Sequence, residues 1–575
     1  MHNKQIAAIL DEIADLLEFK GANPFRLRAY RNSARLIGEL QEPAVAILGD
    51  PERSLTDLPG IGPDLADKIK TVVATGTLPM LDELRSEVPE SVLALLHIPG
   101  LGPKRAAILF NQLKITTLEQ VRAACEAHQI RELKGFGEKT EQSILAGLEL
   151  AETANDRLYW AQADAIVQEL LDHMRPLPAI RQSEVAGSYR RGRETVGDLD
   201  LLVDAEQVES VMDHFGQFPG VAATIARGET KMSVRLQSGL QVDLRVVPSK
   251  SFGAALQYFT GSKDHNVVLR GLAKQRGLKI NEYGVFRVEE KQETYVAGET
   301  EEEVYAQLDL PCFPPEMREA RQEFEWAAAG KLPKLIELGD IRGDLHMHTT
   351  ATDGKATLAE MAAAAQACGL KYIAITDHSK RVSMAGGLDA VRLRKQWKEI
   401  DQFNAQLRGL TVLKGIECDI LEKGGLDLPD DVLAEADWVL ASVHYGQKQP
   451  REQITARILG AIENPYVSAI AHPTGRIINR RKPYEVDLDA VFEAAAKYGK
   501  LLELNANPAR LDLDDWACAM AKRHKIPIVI STDAHSTDGL SVLRYGILQA
   551  RRAGLTKSDV ANTRPWPQLK KLIGK

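Results

Sequence analysis

The sequence predicts a multidomain protein in which α-helical domains precede mixed α/β domains and a final parallel α/β barrel. Three observations predict this fold class. Residues 1 to about 150 place apolar residues every three to four positions, with short Gly/Pro breaks, as amphipathic helices do. Strand-like stretches such as "DLDLLV" and "LQVDLRVV" occupy 184–250 and lead into a mixed α/β segment that ends near 335. From 341 onward seven short apolar strands alternate with helical stretches, which is typical of a parallel sheet closed as a barrel. The predicted helices of this last part include 357–368, 388–407 and 488–498.

The composition excludes some classes of protein and leaves others open. The chain has 575 residues, more than one core can serve, and its formal net charge of −8 shows no overall basic excess. Local patches and backbone amides can still bind phosphates. The five cysteines are scattered without a CxxC pair, so a disulfide framework is not expected and a reducing cytoplasm fits. The N-terminal segment resembles an acidic amphipathic helix, not a signal peptide, and no apolar run approaches the roughly 20 residues of a membrane span. We expect a cytoplasmic protein, and a monomer because heptad repeats are missing.

An internal repeat punctuates the N-terminal helices. Its copies are "LPGIGPDLADKI", "IPGLGPKRAAIL" and "LKGFGEKTEQSIL", with the glycine pairs Gly60 and Gly62, Gly100 and Gly102, and Gly135 and Gly137. A glycine pair between two short helices lets backbone N–H groups approach a phosphate closely. The pattern resembles the helix-hairpin-helix motif, which implies that these glycines bind the DNA backbone without reading bases. Ordinary packing of two helices at a turn is the alternative. The first two copies have Ala66 and Ala106 where the third has Glu141, so the third is the least expected to contact DNA.

The central strands carry three aspartates. Asp198 and Asp200 occupy alternate positions on one strand, hence one face, and Asp243 lies on a later strand that could pair alongside. Three such carboxylates can bind two Mg²⁺ ions and align an in-line attack on phosphorus. The preceding "GS" offers a hydroxyl and amides to a triphosphate, and Arg190, Arg191 and Arg193 offer positive charge.

This set resembles the nucleotidyltransferase palm of family X DNA polymerases, and "YFTGSKDHN" resembles the segment that follows it. The resemblance implies that Asp198, Asp200 and Asp243 bind the catalytic Mg²⁺ ions and that Asp243 activates the primer 3′-OH. It implies nucleotide binding by Gly187, Ser188, Arg191, Tyr258, Phe259, Gly261 and Asn266. Arg270 fits the position of a DNA minor-groove arginine that checks the template pair. Lys263 replaces an acid that usually packs on the base, which bears on nucleotide affinity or ribose discrimination.

A lysine after the first hairpin has a possible catalytic role. Lys68 matches the position of the Schiff-base lysine of the deoxyribose-phosphate lyase in DNA polymerase beta and its relatives, which implies the same activity here. That chemistry needs a desolvated lysine with a lowered pKa. Asp64 stands where the family often has a supporting lysine, and an ordinary surface lysine is the alternative.

Six of the seven C-terminal strands end in, or close to, an acid or a histidine. The C-terminal ends of strands in a βα barrel share one face, so these side chains are expected to converge there. Imidazole and carboxylate groups without cysteine suit Zn²⁺, Mn²⁺ or Fe²⁺, and so many ligands exceed the need of one ion. Clustered ions would polarise a phosphoryl oxygen.

The motifs "DLHMHT", "TDHS", "GIECDI", "SVH", "AHP" and "TDAH" occur in this order and resemble the polymerase-and-histidinol-phosphatase (PHP) superfamily of metal-dependent phosphoesterases. The resemblance implies a distorted (βα)7 barrel with up to three ions. It implies nine ligands: His346, His348, Asp353, His378, Glu417, His444, His472, Asp533 and His535. Asp377 and Asp419 lie beside ligands and are interpreted as supporting residues.

The predicted domains are a helical lyase-like DNA-binding domain (1–85), a second helical domain with two further hairpins (86–152), a nucleotidyltransferase palm (153–255), a nucleotide-selection thumb (256–335) and a PHP phosphoesterase domain (341–575). The sequence thus predicts a family X DNA polymerase that fills short gaps in base excision repair, joined to a Mn²⁺-dependent 3′→5′ exonuclease or phosphoesterase. Its expected partners are gapped or primed double-stranded DNA and deoxynucleoside triphosphates. Two alternatives stay open: a small-molecule phosphatase, and a DNA-binding repair scaffold with an active PHP phosphatase but a weak polymerase.

Overall fold

The computed structural model describes residues 3–40, 44–50, 53–58, 60–87, 95, 101, 103–138, 140–142, 144–145, 157–289 and 292–574. The chain divides into two compact units between Asp156 and Arg157. Among the described residues, no helix is both long enough and apolar enough to cross a membrane.

The N-terminal unit is built from amphipathic helices around one apolar core. The first helix places Ile6, Leu10 and Ile13 in that core, at the spacing that puts side chains on one helical face. The described residues include the helices Asn3–Phe19, Pro24–Glu39, Ala44–Gly49, Pro63–Thr75, Pro79–Glu87, Pro103–Leu113 and Leu118–Glu126, with a 3₁₀ turn at Leu55–Asp57.

The second unit begins with the palm sheet. Its strands are β1 (Leu158–Tyr159), β2 (Ile180–Val185), β3 (Thr195–Val196), β4 (Asp198–Ala205), β5 (Val221–Arg227), β6 (Lys231–Leu236) and β7 (Gln241–Val247). Five of them form a mixed sheet in the order β2-β4-β7-β6-β5, in which β4 and β7 run parallel, while β1 and β3 form a separate antiparallel pair. On β4, Leu199, Leu201 and Val203 enter the core, so the alternate residues Asp198 and Asp200 take the opposite face. The palm helices are Trp160–Met174, Gly187–Arg190, Val208–Gly216 and Phe252–Thr260.

A smaller antiparallel sheet forms the thumb. Its strands β8 (Leu278–Asn281), β9 (Gly284–Glu289) and β10 (Gln292–Ala297) pack with the helices Lys263–Gln275, Glu301–Ala306 and Glu323–Ala328. Leu269, Val285 and Phe313 belong to its core. The short 3₁₀ turns of the second unit are Ser249–Ser251, Pro315–Met317, Leu338–Asp340, Ser383–Ala385, Thr537–Val542 and Ala561–Thr563.

The last part is a nearly closed barrel of parallel strands in sequence order. The strands are β11 (Gly343–Asp344), β12 (Tyr372–Ile375), β13 (Thr411–Asp419), β14 (Trp438–Ser442), β15 (Ala469–Ile470), β16 (Leu501–Asn505) and β17 (Ile528–Ser531). A bridge between Met347 and Ala534 links the two edges of the sheet just beyond β11 and β17. The helices are Leu358–Ala367, Ala390–Gln406, Asp430–Leu433, Arg451–Glu463, Leu488–Tyr498, Asp515–Arg523, Leu543–Arg552 and Trp566–Leu572.

Both faces of the barrel strands are buried. Ala374, Leu440 and Val529 belong to a cluster inside the barrel, while alternate residues such as Ile373 and Val439 pack outward with the helices. Burial on two faces explains why these strands are continuous apolar runs in the sequence. The multidomain fold class predicted from the sequence is confirmed.

The palm and the thumb both contact the barrel through polar groups. Arg552 of the barrel donates to Glu319 at 2.9 Å and to the Arg191 carbonyl at 2.7 Å. Arg476 donates to Glu194 at 2.8 Å, and the Tyr159 hydroxyl donates to the Ile478 carbonyl at 2.9 Å.

Candidate active sites

Asp198, Asp200 and Asp243 come together on adjacent palm strands. Asp198 and Asp200 alternate on β4, and the strand register pairs Asp200 with Asp243 on the parallel strand β7. Asp243 accepts hydrogen bonds from Lys231 at 2.8 Å and from Gln241 at 2.9 Å. Residues paired in register on neighbouring strands lie about 5 Å apart, so the three carboxylates can share ions.

The pKa values of Asp200 and Asp243 indicate that the cluster suits a cation. Burial, together with the charges of Asp198 and Asp243, raises the pKa of Asp200 to about 6. Burial also opposes ionisation of Asp243, but its hydrogen bonds, led by the one from Lys231, lower its pKa. Carboxylates that repel one another in this way are stabilised when a divalent cation binds between them. The residues present therefore fit a divalent metal site.

Gly187 and Ser188 begin a short helix beside β4. Gly187 has a φ of 65°, and a Cβ at this position would lie 2.7 Å from Oδ2 of Asp200, so only glycine fits. The buried Oγ of Ser188 forms no hydrogen bond within the described part of the chain. Buried hydroxyls normally have a partner, so this one is available to a ligand.

The arginines of "RRG" are engaged by thumb carboxylates. Arg190 makes two hydrogen bonds with Glu301, at 2.9 and 2.7 Å. Arg191 donates to Glu319 at 3.1 Å and also to the Thr260 carbonyl. A triphosphate at the predicted Arg191 position would therefore have to compete with Glu319 for the guanidinium group.

The remaining predicted nucleotide-binding residues lie where the palm meets the thumb. The helix Phe252–Thr260 carries Tyr258 and Phe259, whose ring centroids are 5.1 Å apart, and ends at Gly261, which has a φ of 69°. Asn266 donates to the Tyr258 carbonyl at 2.8 Å, so the two residues are held together.

Arg270 follows one helical turn after Asn266. It donates to the Asn266 carbonyl at 3.2 Å and lines a groove of about 370 Å³ with Lys274 and Lys279. This groove is positively charged, as a contact with a phosphate backbone requires.

The glycine pairs of the first and third predicted hairpins lie within the described residues, and the two turns share one geometry. Gly60 and Gly135 have φ values of 97° and 90°. The amide of Ala66 donates to the Gly62 carbonyl at 3.0 Å, and the amide of Glu141 donates to the Gly137 carbonyl at 2.9 Å.

The glycine pair of the second predicted hairpin, Gly100 and Gly102, lies outside the described residues. The DNA contact predicted for Gly100 and Gly102 stays a prediction.

The position at which the third hairpin differs is internal. The Glu141 side chain is only 3% exposed and accepts hydrogen bonds from the backbone and the guanidinium of Arg131, at 2.9 and 2.7 Å. Although burial opposes it, these bonds lower the pKa of Glu141. The acid therefore braces the turn from inside and does not face a DNA backbone.

Lys68 does not have the property that its predicted lyase role requires. Its ammonium group donates to Asp64 at 2.6 Å and lies 5.4 Å from the Tyr30 ring. Burial would lower the pKa of Lys68, but the interactions with Asp64 and Tyr30 raise it above its ordinary value. A Schiff-base lysine needs the opposite shift, because only the neutral amine attacks.

All nine predicted barrel ligands converge at or beyond the carboxyl ends of the strands. They form four overlapping groups: His348, Asp353, His378 and His535; His346, Glu417 and His472; His346, His348 and Asp533; and His378, Glu417 and His444. Within each group the candidate ligand atoms lie within 4.8 Å of one another. Glu417 is shared by two groups, with its oxygens 2.9 Å from Nδ1 of His378 and 3.0 Å from Nε2 of His472. Shared ligands fit a cluster of ions better than a single ion.

Several of these ligand atoms are buried without a hydrogen-bond partner among the described residues. They include Nε2 of His346, both ring nitrogens of His348 and Oε2 of Glu417. Leaving such atoms unpaired costs free energy, and a metal ion would satisfy them. The donor set and the unpaired atoms both fit divalent metal ions.

The two histidines that follow β11 differ in protonation, and only His348 has its pKa below neutrality, as a metal-binding imidazole requires. Burial opposes the charge of His346, but Glu503, Asp533 and Glu417 raise its pKa well above the ordinary value. Burial and neighbouring imidazolium groups lower the pKa of His348 to about 4. Neutral imidazole is the form that ligates a metal.

Two supporting residues on β16 escaped the sequence analysis. Glu503 accepts from Nδ1 of His346 at 2.6 Å and from the His472 amide at 2.6 Å. Asn505 donates to Asp533 at 3.1 Å. Their only signal was polar residues at alternate positions in the apolar run "KLLELNANP". The strand that supplies no predicted ligand therefore orients the ligands of its neighbours.

The two aspartates interpreted as supporting residues have different tasks. Asp419 accepts from Nδ1 of His444 at 3.0 Å and orients that imidazole. Asp377 accepts from Thr349, Thr352 and Gln396, so it fixes the loop that follows His348.

A cleft of about 400 Å³ opens above the cluster and is lined by ligands together with Arg510. Nε of Arg510 lies 3.6 Å from Oδ2 of Asp533. The sequence analysis did not identify this arginine, because it stands in a loop seven residues after Glu503 without a recognisable motif.

Comparisons with known families agree with this architecture. Residues 1–78 match a helix-hairpin-helix domain, 92–150 a SAM-like helix-hairpin-helix tandem, 255–319 the DNA polymerase beta thumb and 344–507 the PHP domain. The polymerase and PHP domains imply divalent metal binding.

Similar whole proteins point the same way. The chain is 41% identical over 577 residues to the DNA polymerase/3′-5′ exonuclease PolX of Bacillus subtilis, covering 98% of each chain. A probable phosphatase of Thermoanaerobacter pseudethanolicus is 32% identical over 231 residues, which is 38% of this chain and 89% of that protein. One from Acetivibrio thermocellus is 36% identical over 201 residues, 33% of this chain and 78% of that protein. The predicted resemblances are confirmed, and the chain belongs to the enzymes of DNA polymerase family X that carry a C-terminal PHP domain.

Proposed function

We propose that this protein fills short gaps in DNA during base excision repair and trims 3′ ends with its PHP centre. The observation that carries the proposal is that one chain holds two clusters of candidate metal ligands. Asp198, Asp200 and Asp243 gather in the palm, and nine candidate ligands gather in the barrel. The similarity to the PolX of Bacillus subtilis over almost the whole chain supports the pairing of these activities.

In the palm, the chain's own residues would bind and orient a deoxynucleoside triphosphate and a primer end. The free hydroxyl of Ser188 and the guanidinium of Arg191 would bind the triphosphate, with the Arg191–Glu319 pair opening to admit it. Tyr258 would pack beside the sugar, and Asn266 fixes the backbone of that residue. Mg²⁺ ions on the aspartates would neutralise charge on the phosphates.

In the barrel, the ligands would hold Mn²⁺, or Zn²⁺ or Fe²⁺, because imidazole and carboxylate donors without thiolate suit these ions. The ions would polarise the phosphoryl oxygen of a terminal phosphodiester. Glu503, Asp419 and Asn505 would keep the ligands in place.

DNA would be held by backbone contacts. The hairpin turns at Gly60 and Gly135 present amides at helix N-termini, and Arg270 lines a basic groove in the thumb. Such contacts position a duplex without reading its sequence.

A phosphatase of small molecules is the second candidate, because the relatives that match only the barrel are probable phosphatases. A DNA-binding repair scaffold with an active PHP phosphatase but a weak polymerase is a separate alternative. The complete aspartate set in the palm favours the polymerase.

The test is incubation of the full chain with a duplex containing a one-nucleotide gap, all four deoxynucleotides, and Mg²⁺ or Mn²⁺. We expect gap filling with Mg²⁺ and, without nucleotides, 3′ shortening with Mn²⁺. A nicked duplex without a gap is the control for extension, and 4-nitrophenyl phosphate is the control for phosphatase activity. Efficient hydrolysis of the phosphate ester with no action on DNA would contradict the proposal.

A further inference from the structure

The cleft above the barrel cluster has a wall that the metal ligands do not explain. Val382, Met384, Ala385 and Tyr445 line it beside His378 and His444. Met384 is 92% exposed, although exposed methionine is uncommon on a polar rim. One side of the cleft is therefore apolar and aromatic, whereas its floor is made of imidazoles and carboxylates.

This wall is held in place by contacts of its own. The loop from Ser379 to Leu388 is closed by a bridge between these two residues, and the Leu388 amide donates to the His378 carbonyl at 2.7 Å. The guanidinium carbon of Arg381 lies 4.2 Å from the centroid of the Tyr445 ring, and the Tyr445 carbonyl accepts a hydrogen bond from the buried Arg457 at 3.0 Å. An aromatic surface fixed in this way loses little entropy when a flat ligand packs on it.

Arg510 supplies positive charge at the same cleft. Its acidic partner Asp533 also lies within ion-pair distance of His346 and His348. Ions bound in the cluster would neutralise the charge of the Asp533 carboxylate. The guanidinium can then make charge-assisted hydrogen bonds to a phosphate that reaches the ions.

We propose that this cleft is a nucleotide subsite, in which Arg510 binds the terminal phosphate and the wall of Val382, Met384, Ala385 and Tyr445 packs against the terminal nucleobase. The inference rests on the proposed 3′ trimming activity and names what that centre recognises. A volume of about 400 Å³ falls in the range of about 300–1,000 Å³ that suits small ligands, and it holds one nucleotide. Because every base has a flat apolar face, such a wall accepts any of the four.

Competition at the PHP centre tests the two halves of the subsite separately. The full chain digests a 3′-labelled oligonucleotide with Mn²⁺, while thymidine 5′-monophosphate or inorganic phosphate is added as inhibitor. We expect the nucleotide to inhibit the wild type about tenfold more tightly than phosphate, since one stacked base contributes about 1–3 kcal/mol. Met384→Ser and Tyr445→Ala should weaken inhibition by the nucleotide about tenfold and leave inhibition by phosphate unchanged. Arg510→Gln should weaken both inhibitors to the same degree.

Matched variants keep this test decisive. Tyr445→Phe retains the ring and should behave as the wild type. Tyr498 also carries a cation over its ring, with Lys497 at 4.9 Å, but lies at the C-terminal end of the helix Leu488–Tyr498, so Tyr498→Ala should change nothing. Bound Mn²⁺, measured by elemental analysis, should be the same in all variants, which excludes damage to the adjacent ligand His444.

Three results would overturn the proposal. The first is equal inhibition of the wild type by the nucleotide and by phosphate, which would mean recognition of phosphate alone. The second is a Tyr445→Ala variant that weakens both inhibitors alike, and the third is an Arg510→Gln variant that weakens neither. If the wild type with Mn²⁺ fails to digest the oligonucleotide at all, the proposed trimming activity itself is wrong, which is a separate outcome.

Discussion

Glu503 accepts a 2.6 Å hydrogen bond from Nδ1 of His346, and this bond leaves Nε2 of the same ring free to face Glu417 and Asp533. A carboxylate behind an imidazole fixes both the tautomer and the orientation of the ring. The other oxygen of Glu503 holds the backbone amide of His472. One side chain therefore positions two predicted ligands.

The first prediction concerns this carboxylate. Glu503→Gln should reduce metal affinity and 3′ trimming by about 10- to 100-fold, the usual effect of losing a residue that orients a ligand. Binding of Mn²⁺ by calorimetry and digestion of a labelled oligonucleotide measure the two effects. Glu493→Gln, at an exposed position on a barrel helix, is the matched control and should be silent. Unchanged Mn²⁺ affinity in Glu503→Gln would contradict the positioning role.

The palm centre should fail on its own when its central carboxylate is removed. Asp200→Ala should abolish extension across a gap, because Asp200 stands between Asp198 and Asp243 in the cluster. It should leave Mn²⁺-dependent 3′ digestion at the wild-type rate, since the barrel ligands do not include it. Asp213→Asn changes an exposed aspartate of the same domain and should affect neither rate. Loss of both activities in Asp200→Ala would mean that the centres are not separate.

The reverse pattern should follow from a change in the barrel. His348→Ala removes a residue shared by two of the candidate ligand groups, so 3′ digestion should be lost while gap filling with Mg²⁺ continues. Primer extension and digestion on one labelled substrate report both rates. His524→Ala, at the C-terminal end of a barrel helix, is the control histidine. If His348→Ala stopped gap filling as well, the division between the two centres would have to be abandoned.

Eight of the barrel ligands could be predicted because each lies at or near the end of an apolar strand, and parallel strands bring those ends to one face. Asp353 lies farther along the chain and was expected only from the resemblance to the PHP superfamily. The sequence predicted the palm aspartates because alternate residues on a strand share a face. Glu503 and Asn505 were missed since they lie within the strand that was expected to contribute no ligand. The contacts of Arg191 could not be predicted either. Its side chain bonds to Glu319, which is 128 residues away, and its carbonyl accepts from Arg552, which is 361 residues away. Such pairs depend on how domains pack, which no local pattern encodes.

A change at Asp64 should show whether Lys68 can serve as a lyase nucleophile. The Asp64 carboxylate and Tyr30 raise the pKa of Lys68, so little neutral amine is present near pH 7. Borohydride trapping on incised abasic DNA should give a weak covalent product in the wild type. Asp64→Asn should increase it, because loss of the carboxylate lowers the pKa of Lys68.

The same trapping experiment carries its own controls. Lys68→Ala should remove the product, and Lys70→Ala, at an exposed position two residues on, should not. A product that persists in Lys68→Ala would show that another amine reacts and would end the assignment of Lys68.

The last prediction concerns the pH dependence of the junction where Glu319 of the thumb meets the palm and the barrel. Burial opposes ionisation of Glu319, but Arg552 and Arg191 lower its pKa to about 2. A carboxylate with a depressed pKa stabilises the fold above its unfolded value of about 4.5, and this stabilisation is lost as the pH falls toward about 2. Glu319→Gln should therefore cost about 1.5–3 kcal/mol at pH 7 and pH 5, because Arg191 and Arg552 lose charge-assisted hydrogen bonds to Glu319 while Asp515 still pairs with Arg552. The cost should shrink progressively at pH 4 and pH 3, where the wild-type carboxyl takes up its proton on unfolding. Urea unfolding of both proteins across these pH values measures the difference, with the exposed Glu325→Gln as a control that should show none. A cost that stays constant from pH 7 to pH 3 would show that the Glu319 side chain stabilises the junction by its shape and not by its charge.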